Sequence, residues 1–250
     1  SGFTPQFGAH ITDSALCASC HNLTTPVLNA DGSLFSTTPE TEFPEQMVYT
    51  EWQNSAYADG AELEQSCQSC HLARADGVKI ANRPPFLPLR EDFRRHGFYG
   101  GNVLMLDMLD MNREALGVGG GDFAASIEAT RQTLHSAAEL VIEEAALDGY
   151  LLTVRVRVIN KGGHKLPTSF PSRRVSLHLK VSDTLGTTLF ESGRPETDDF
   201  GVFTGAIAGV DGDFGPLGYE HHYQEITSAD QVQVYEPITV DSAGNQTSTL

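Results

Sequence analysis

All four cysteines stand in two copies of one pattern, Cys17-Ala18-Ser19-Cys20-His21 and Cys67-Gln68-Ser69-Cys70-His71. Residues three apart in a helical turn share a face, so the two thiols of each copy can form thioethers to the two vinyl groups along one edge of a haem. The histidine that follows then lies beneath the ring and offers its imidazole to the iron. This spacing reads as a c-type haem attachment site. The expectation is two covalently attached haem c groups, held by Cys17, Cys20, Cys67 and Cys70, with His21 and His71 as proximal ligands. Three other arrangements use the same residue types. Two disulfides would suit an oxidising compartment but give no reason for a histidine directly after the second cysteine in both copies. Paired Cys-x-x-Cys motifs can hold zinc, and the separation of the two copies does not exclude it sterically. A thioredoxin-like pair needs a strand-to-helix context, and neither motif follows a clear strand.

The sixth coordination position decides what such a centre does. A second imidazole saturates the iron and leaves electron passage, whereas an open position permits small-molecule chemistry. Nine histidines are present. His96 lies in His96-Gly97-Phe98-Tyr99-Gly100-Gly101-Asn102, where glycines let the backbone pass close to a large planar group. His164 follows Gly162-Gly163 and precedes Lys165-Leu166-Pro167, a constrained loop between strand-like runs. These two are the expected distal ligands, with His10, just before the first motif, in reserve. His178 falls on the polar side of an alternating run and reads as a solvated strand position. His135 reads as a helix-flank residue, and one of His221 and His222 as a buried hydrogen-bonding histidine. Methionine is the other common distal ligand, but Met105, Met108 and Met111, interleaved with leucines, read as core packing on a helix face. Met47, Tyr49 and Trp52 read as cover for a haem face.

Helices and irregular segments must position these residues. Pro44 to Ala58 carries an amphipathic pattern with Val48, Trp52 and Tyr57 inward, and Asp59-Gly60 ends it. Pro84, Pro85 and Pro88 mark a turn-rich stretch. A long helix is expected over about 122–148, with Asp122 as N-cap and Asp148-Gly149 as its end. From Tyr150 the periodicity changes to alternation, in Tyr150 to Ile159 and Val175 to Val181, with shorter runs at Thr187 to Phe190 and Gln231 to Val240. These read as half-buried antiparallel strands of a β-sandwich, followed by a turn at Ser242 to Asn245. The expected fold class is therefore α+β, a mostly helical or irregular cytochrome part over 1–148 and a sandwich over 149–250 that supplies a haem-ligand loop. The 33 acidic and 16 basic side chains give a formal charge of -17. That charge disfavours nucleic acid and anionic membrane surfaces, and no stretch is long and apolar enough to insert in a membrane. No signal peptide is visible, and the chain starts at Ser1 as a mature protein or an excised fragment would.

At these residues the sequence resembles multihaem cytochromes c that carry an immunoglobulin-like β-sandwich after their haem-binding part. The resemblance rests on the Ser14 to His21 segment, Glu51 to Tyr57, Cys67 to His71, His96 to Asn102, and Gly163-His164-Lys165-Leu166-Pro167-Thr168-Ser169-Phe170-Pro171-Ser172-Arg173-Arg174. It implies a periplasmic or extracellular electron-transfer module, bis-histidine irons, and His96 and His164 as distal ligands. Many relatives carry glycine where this chain has Ser169.

The expected function is single-electron transfer by a dihaem cytochrome between extracytoplasmic redox partners. Arg173 and Arg174 are candidates for forked hydrogen bonds to haem propionates, and the acidic surface favours a partner with a basic docking patch. Two alternatives stand beside this reading. One is a haem enzyme, peroxidase-like or a small-anion reductase, with one open coordination site. No dedicated catalytic constellation supports it: Asp198-Asp199 and Asp211-Gly212-Asp213 fit a solvated face or an incomplete calcium loop equally well. The other is a docking module of a larger secreted redox system, presenting Phe200, Phe203, Phe214, Tyr219 and Tyr223, although these aromatics fit a loop packed against the sandwich better.

Overall fold

Short elements are what a chain with 24 glycines and 12 prolines builds, because each interrupts a helix or a strand ladder. The computed structural model describes residues 6–29, 31–83, 85–199, 203–210, 219–241 and 243–246, and within them helices mix with antiparallel strands, an α+β architecture. Helix α1 (Ala15–His21) carries the first motif and leads to β1 (Leu23–Thr25) and β2 (Phe43–Gln46). Next come α2 (Val48–Gln53), α3 (Cys67–His71) with the second motif, β3 (Arg74–Ala75) and β4 (Phe93–Arg94). Helices α4 (Val103–Met111) and α5 (Phe123–Ala137) precede the longest strands, β5 (Ala138–Asp148) and β6 (Leu151–Asn160). The remainder holds β7 (Val175–Ser176), β8 (Leu179–Ser182), β9 (Thr188–Ser192), β10 (Pro195–Thr197), β11 (Phe203–Ile207) and β12 (Val234–Tyr235). The strands pair antiparallel as β1–β2, β3–β4, β5–β6, β7–β12, β8–β9 and β10–β11. Among the described residues no helix is long and apolar enough to cross a membrane.

The chain divides into two compact units. One comprises Ser1–Asn22 and Val48–Lys165, the other Leu23–Met47 and Leu166–Leu250. Both Cys-x-x-Cys-His motifs, His96 and His164 belong to the first unit, and Arg173 and Arg174 to the second. The boundary that the sequence pattern places between 148 and 149 falls at the end of β5, where Gly149 and Tyr150 form the turn to β6.

In the first unit the buried side chains include Trp52, Leu72, Ile127 and Thr130. Trp52 sits on α2 with its indole Nε1 donating to the Gln65 carbonyl at 3.0 Å. The amphipathic run expected from Pro44 to Ala58 is helical only over α2: Pro44 lies in β2, and turns follow Gln53. Helix α5 starts as expected, with the Asp122 carboxylate accepting the Ala125 N–H at 3.0 Å, but it stops at Ala137. The expectation of one helix to residue 148 is corrected: 138–148 is a strand, registered from Ala138↔Asn160 to Asp148↔Leu151. Its Ala, Glu and Leu content suits a helix locally, yet the ladder to the β-branched β6 outweighs that preference. In the resulting ribbon Leu140 faces Val158, Ile142 faces Val156 and Leu147 faces Leu152, and Leu140, Ile142, Leu147 and Leu152 are exposed. Charged residues of the ribbon pair across it, Glu144 with Arg155 at 3.1 Å and Glu143 with Arg157 at 2.9 Å.

The core reading of the methionines is also corrected. Helix α4 is apolar on nearly every side, so it cannot bury all of its side chains. Val103, Leu106 and Asp110 are half-buried at three- and four-residue spacing, while Leu104, Met105, Met108 and Met111 lie on the exposed side. In the second unit Val232, Gln233, Val234 and Ser192 are buried. Gly193, at φ +69, has no room for a side chain, since a Cβ there would come within 2.2 Å of the Leu177 carbonyl oxygen. Pro84, Phe200, Asp211, Asp213, Phe214 and Ser242, singled out in the sequence, lie outside the described residues.

Candidate functional site

Each motif folds as a single short helix, so its two cysteines and its histidine project from one turn and its flank. None of the four cysteines is in a disulfide. Ser14, buried at 2% exposure, joins the two helices: its carbonyl accepts the Cys17 N–H at 2.9 Å and its hydroxyl accepts the Cys67 N–H at 3.1 Å. The Gln68 side-chain amide donates to the carbonyls of Ile11 and Asp13 at 3.0 and 2.9 Å. The thiols of Cys17 and Cys67 consequently meet, and burial first, then Cys67, then Cys20 push the Cys17 thiol above its ordinary pKa.

His71, the last residue of α3, is aimed by a backbone group. Its Nδ1 lies 2.7 Å from the Tyr99 carbonyl oxygen. A carbonyl only accepts, so Nδ1 carries the proton and Nε2 is left with its lone pair outward, the arrangement that prepares imidazole for a metal. Tyr99 in turn donates its N–H to the His71 carbonyl at 3.3 Å, and its ring lies against Gly97, where a Cβ would approach to 2.5 Å. The glycine next to His96 is therefore explained by Tyr99. Arg94 closes the other side of α3 by donating to the Ser69 carbonyl at 3.0 Å.

His164 is presented by the loop that leaves β6. Asn160 shapes that loop, its Oδ1 accepting the Gly162 N–H at 2.9 Å and its Nδ2 donating to the His164 carbonyl at 2.7 Å. Glu51 of α2 accepts the Lys165 N–H at 3.0 Å. Gly163 passes so near Trp52 that a Cβ would stand 3.1 Å from the indole Cδ1. The His164 Nδ1 lies 3.0 Å from the Lys165 carbonyl oxygen, so here too Nε2 is the nitrogen left outward. A cleft of about 460 Å³ borders this loop, lined by Thr50, Glu51, Asn54, Asn160 and His164 among others.

The two imidazoles lie near each other. The rings of His71 and His164 have their centroids 6.3 Å apart with planes 18° from parallel. Two metal–nitrogen bonds of about 2.0–2.1 Å, each followed by roughly 1.1 Å from nitrogen to ring centre, place trans imidazole centroids about 6.3 Å apart. The centroid separation is the one two imidazoles sharing a metal ion would have, and Cys67 and Cys70, on the same helix as His71, would hold a haem through its vinyl groups. Among the described residues no group of three or more His, Cys, Asp or Glu side chains clusters as a site for a bare metal ion.

The remaining sequence candidates are dispersed. His21 is exposed at the end of α1. His96 is exposed, and the ring beside it is that of Phe98, 5.5 Å away. His10 is exposed in a short 3-10 turn over Ala9–Thr12. His178 pairs with Glu191 at 2.9 Å, and His135 is exposed on α5. His222 shares a hydrogen bond with Gln233 at 2.7 Å but is exposed, which corrects the expectation of a buried histidine there. Arg173 is exposed. Arg174 is held at 2.6 Å by Glu236, itself nearly buried. Ser169 has a positive φ of 72, the left-handed conformation in which glycine is at ease.

Ser14, Gln68, Glu51 and the Tyr99 carbonyl carry positioning roles that spacing along the chain does not announce. Asn160 two residues before Gly162 is a recognisable Asx-turn signal. The other contacts are made across long stretches of sequence and leave no local mark. Comparison with protein-family models and with curated proteins finds no match. Among solved structures the chain is similar to a penta-haem cytochrome c552 from Thermochromatium tepidum, with 17% identity and a TM-score of 0.39 over 78% of this chain and 38% of that one. The chain thus spans well under half of that protein.

Proposed function

We propose that this chain is a dihaem c-type cytochrome that passes single electrons between periplasmic or extracellular redox partners, with both irons six-coordinate. The observation that carries the reading is the neighbouring pair His71 and His164, with ring centroids 6.3 Å apart and each Nδ1 committed to a backbone carbonyl, a separation that suits two imidazoles on one iron. When bound, haem supplies the one-electron couple of its iron. The chain's part would be to hold the group through Cys67 and Cys70 and to keep both imidazoles with Nδ1 on a backbone carbonyl and Nε2 free to bind. At the first motif the same roles fall to Cys17, Cys20 and His21, with His96 as the proposed distal ligand.

Propionate pairing is proposed for Arg173 rather than for Arg174, which Glu236 already engages. The immunoglobulin-like reading of the strand-rich part belongs to this proposal as well. The charge of -17 favours an electron partner with a basic patch, met at a rate that falls with added salt.

Intact mass and the reduced haemochrome spectrum test the reading together. Two haems per chain and a low-spin oxidised spectrum are expected; an apoprotein, or a zinc adduct, refutes it. A haem enzyme with one open position is the competing reading for the first motif, because the ring beside His96 is Phe98. Rapid carbon monoxide binding by half of the reduced haem would favour that alternative.

A further inference from the structure

The N-termini of the two attachment helices are capped in an unusual way. Helix α3 is preceded by Ser66, a residue type well suited to capping and extended in backbone (φ -72, ψ 160), yet its side chain makes no cap hydrogen bond. The Ser14 side chain likewise does not cap its own helix. Instead the Ser14 hydroxyl takes the Cys67 N–H, one of the donors a helix start leaves unpaired, across 53 residues of sequence. With its carbonyl on the Cys17 N–H, one buried residue holds the first cysteine of both motifs. A helix start needing only a cap would take it from the serine next door. The remote bond, doubled by Gln68 reaching the Ile11 and Asp13 carbonyls, ties the two helices to each other.

Resting on the two-haem reading, we propose that Ser14 is a positioning residue that locks the attachment helices at one separation and so sets the electronic coupling between the two haems. Cys17 and Cys67 would each carry a thioether to one ring, and these two side chains are neighbours. Adjacent attachment points bring the edges of the two conjugated systems together, and the charge on one iron then acts on the other at short range. Ser14 touches neither ring; it acts through the backbone amides of the two cysteines.

The test uses the full chain with both haems attached, read by electron paramagnetic resonance in the fully oxidised and half-reduced states. In the unaltered protein each low-spin signal is expected to be broadened by the other iron, and the broadening should vanish when that iron is reduced. Ser14→Ala should keep two haems and clearly weaken the broadening, and Ser14→Thr, which retains the hydroxyl, should restore it. Ser14→Ala with unchanged broadening overturns the proposal. If Ser14→Ala does not mature, Gln68→Met removes the second tie and is read the same way: weakened broadening supports the lock and unchanged broadening refutes it. A chain without haem would refute the functional reading and the coupling with it, whereas two haems with an unbroadened spectrum would refute the coupling alone.

Discussion

Replacing Gly163 by valine strikes the joint between the core and the presented histidine. A Cβ at this position would lie 3.1 Å from Trp52 Cδ1 and 3.6 Å from Tyr57 Cβ, and the two γ-methyls of valine add volume where there is none. Trp52 cannot swing aside freely: it is 5% exposed and its indole N–H is bound to the Gln65 carbonyl. The loop must move instead, and it carries His164 on the next residue. Overpacking of this kind costs about 1–3 kcal/mol, which corresponds to roughly 5- to 150-fold in the equilibrium favouring the presented loop. Alanine, needing a shift of only a few tenths of an ångström, should fall near the lower bound. The assay is carbon monoxide binding to the reduced protein alongside a denaturant melt. The valine variant should admit carbon monoxide at one of two haems and unfold at lower denaturant, with alanine intermediate. A valine variant as closed and as stable as the parent would refute the claim that Gly163 is kept small by Trp52.

Further outcomes follow from individual contacts. Gly97→Ala, whose methyl would come within 2.5 Å of the Tyr99 ring, should displace Tyr99 and with it the carbonyl that orients His71, seen as a shifted low-spin signal for one haem. Glu236→Ala should destabilise the second unit by about 3 kcal/mol in a denaturant titration, since it removes the nearly buried carboxylate that pairs with Arg174. The Asp183 carboxyl is held below its ordinary value of 3.8, first by the Thr187 N–H and further by that of Leu185. A carboxylate so depressed contributes stability that is present above its unfolded pKa and is lost as pH falls through the folded value. Thermal melts from pH 6 downward should therefore lose midpoint below about pH 4, and Asp183→Ala should flatten that loss; an unchanged acid slope would contradict the assignment.

What the sequence discloses follows from how local each constraint is. The Cys-x-x-Cys-His motifs are legible because residues three apart share one helical turn, and the structure puts each motif in a helix. The loop before His164 is legible through its glycines, since close passage by Trp52 admits little else. The strand β6 shows in its alternation, but its partner β5 does not. Residues 138–148 are rich in Ala, Glu and Leu, and only pairing with a segment further along the chain makes them extended. Helix α4 misleads for a related reason: with apolar residues on nearly every side, periodicity cannot say which face is turned inward. The pairing of His71 with His164 and the cap from Ser14 to Cys67 join residues far apart in the chain, and no pattern within a short window records them.

The central claim is that His71 and His164 bind the same iron, and it is tested most directly in chains stripped to one haem. With Cys17 and Cys20 replaced by alanine, only the second motif carries haem, and adding His164→Ala should convert that haem from low-spin to high-spin. With Cys67 and Cys70 replaced instead, the same His164→Ala change should leave the spectrum low-spin. A second-motif haem that stays low-spin without His164, or a first-motif haem that turns high-spin, would contradict the account.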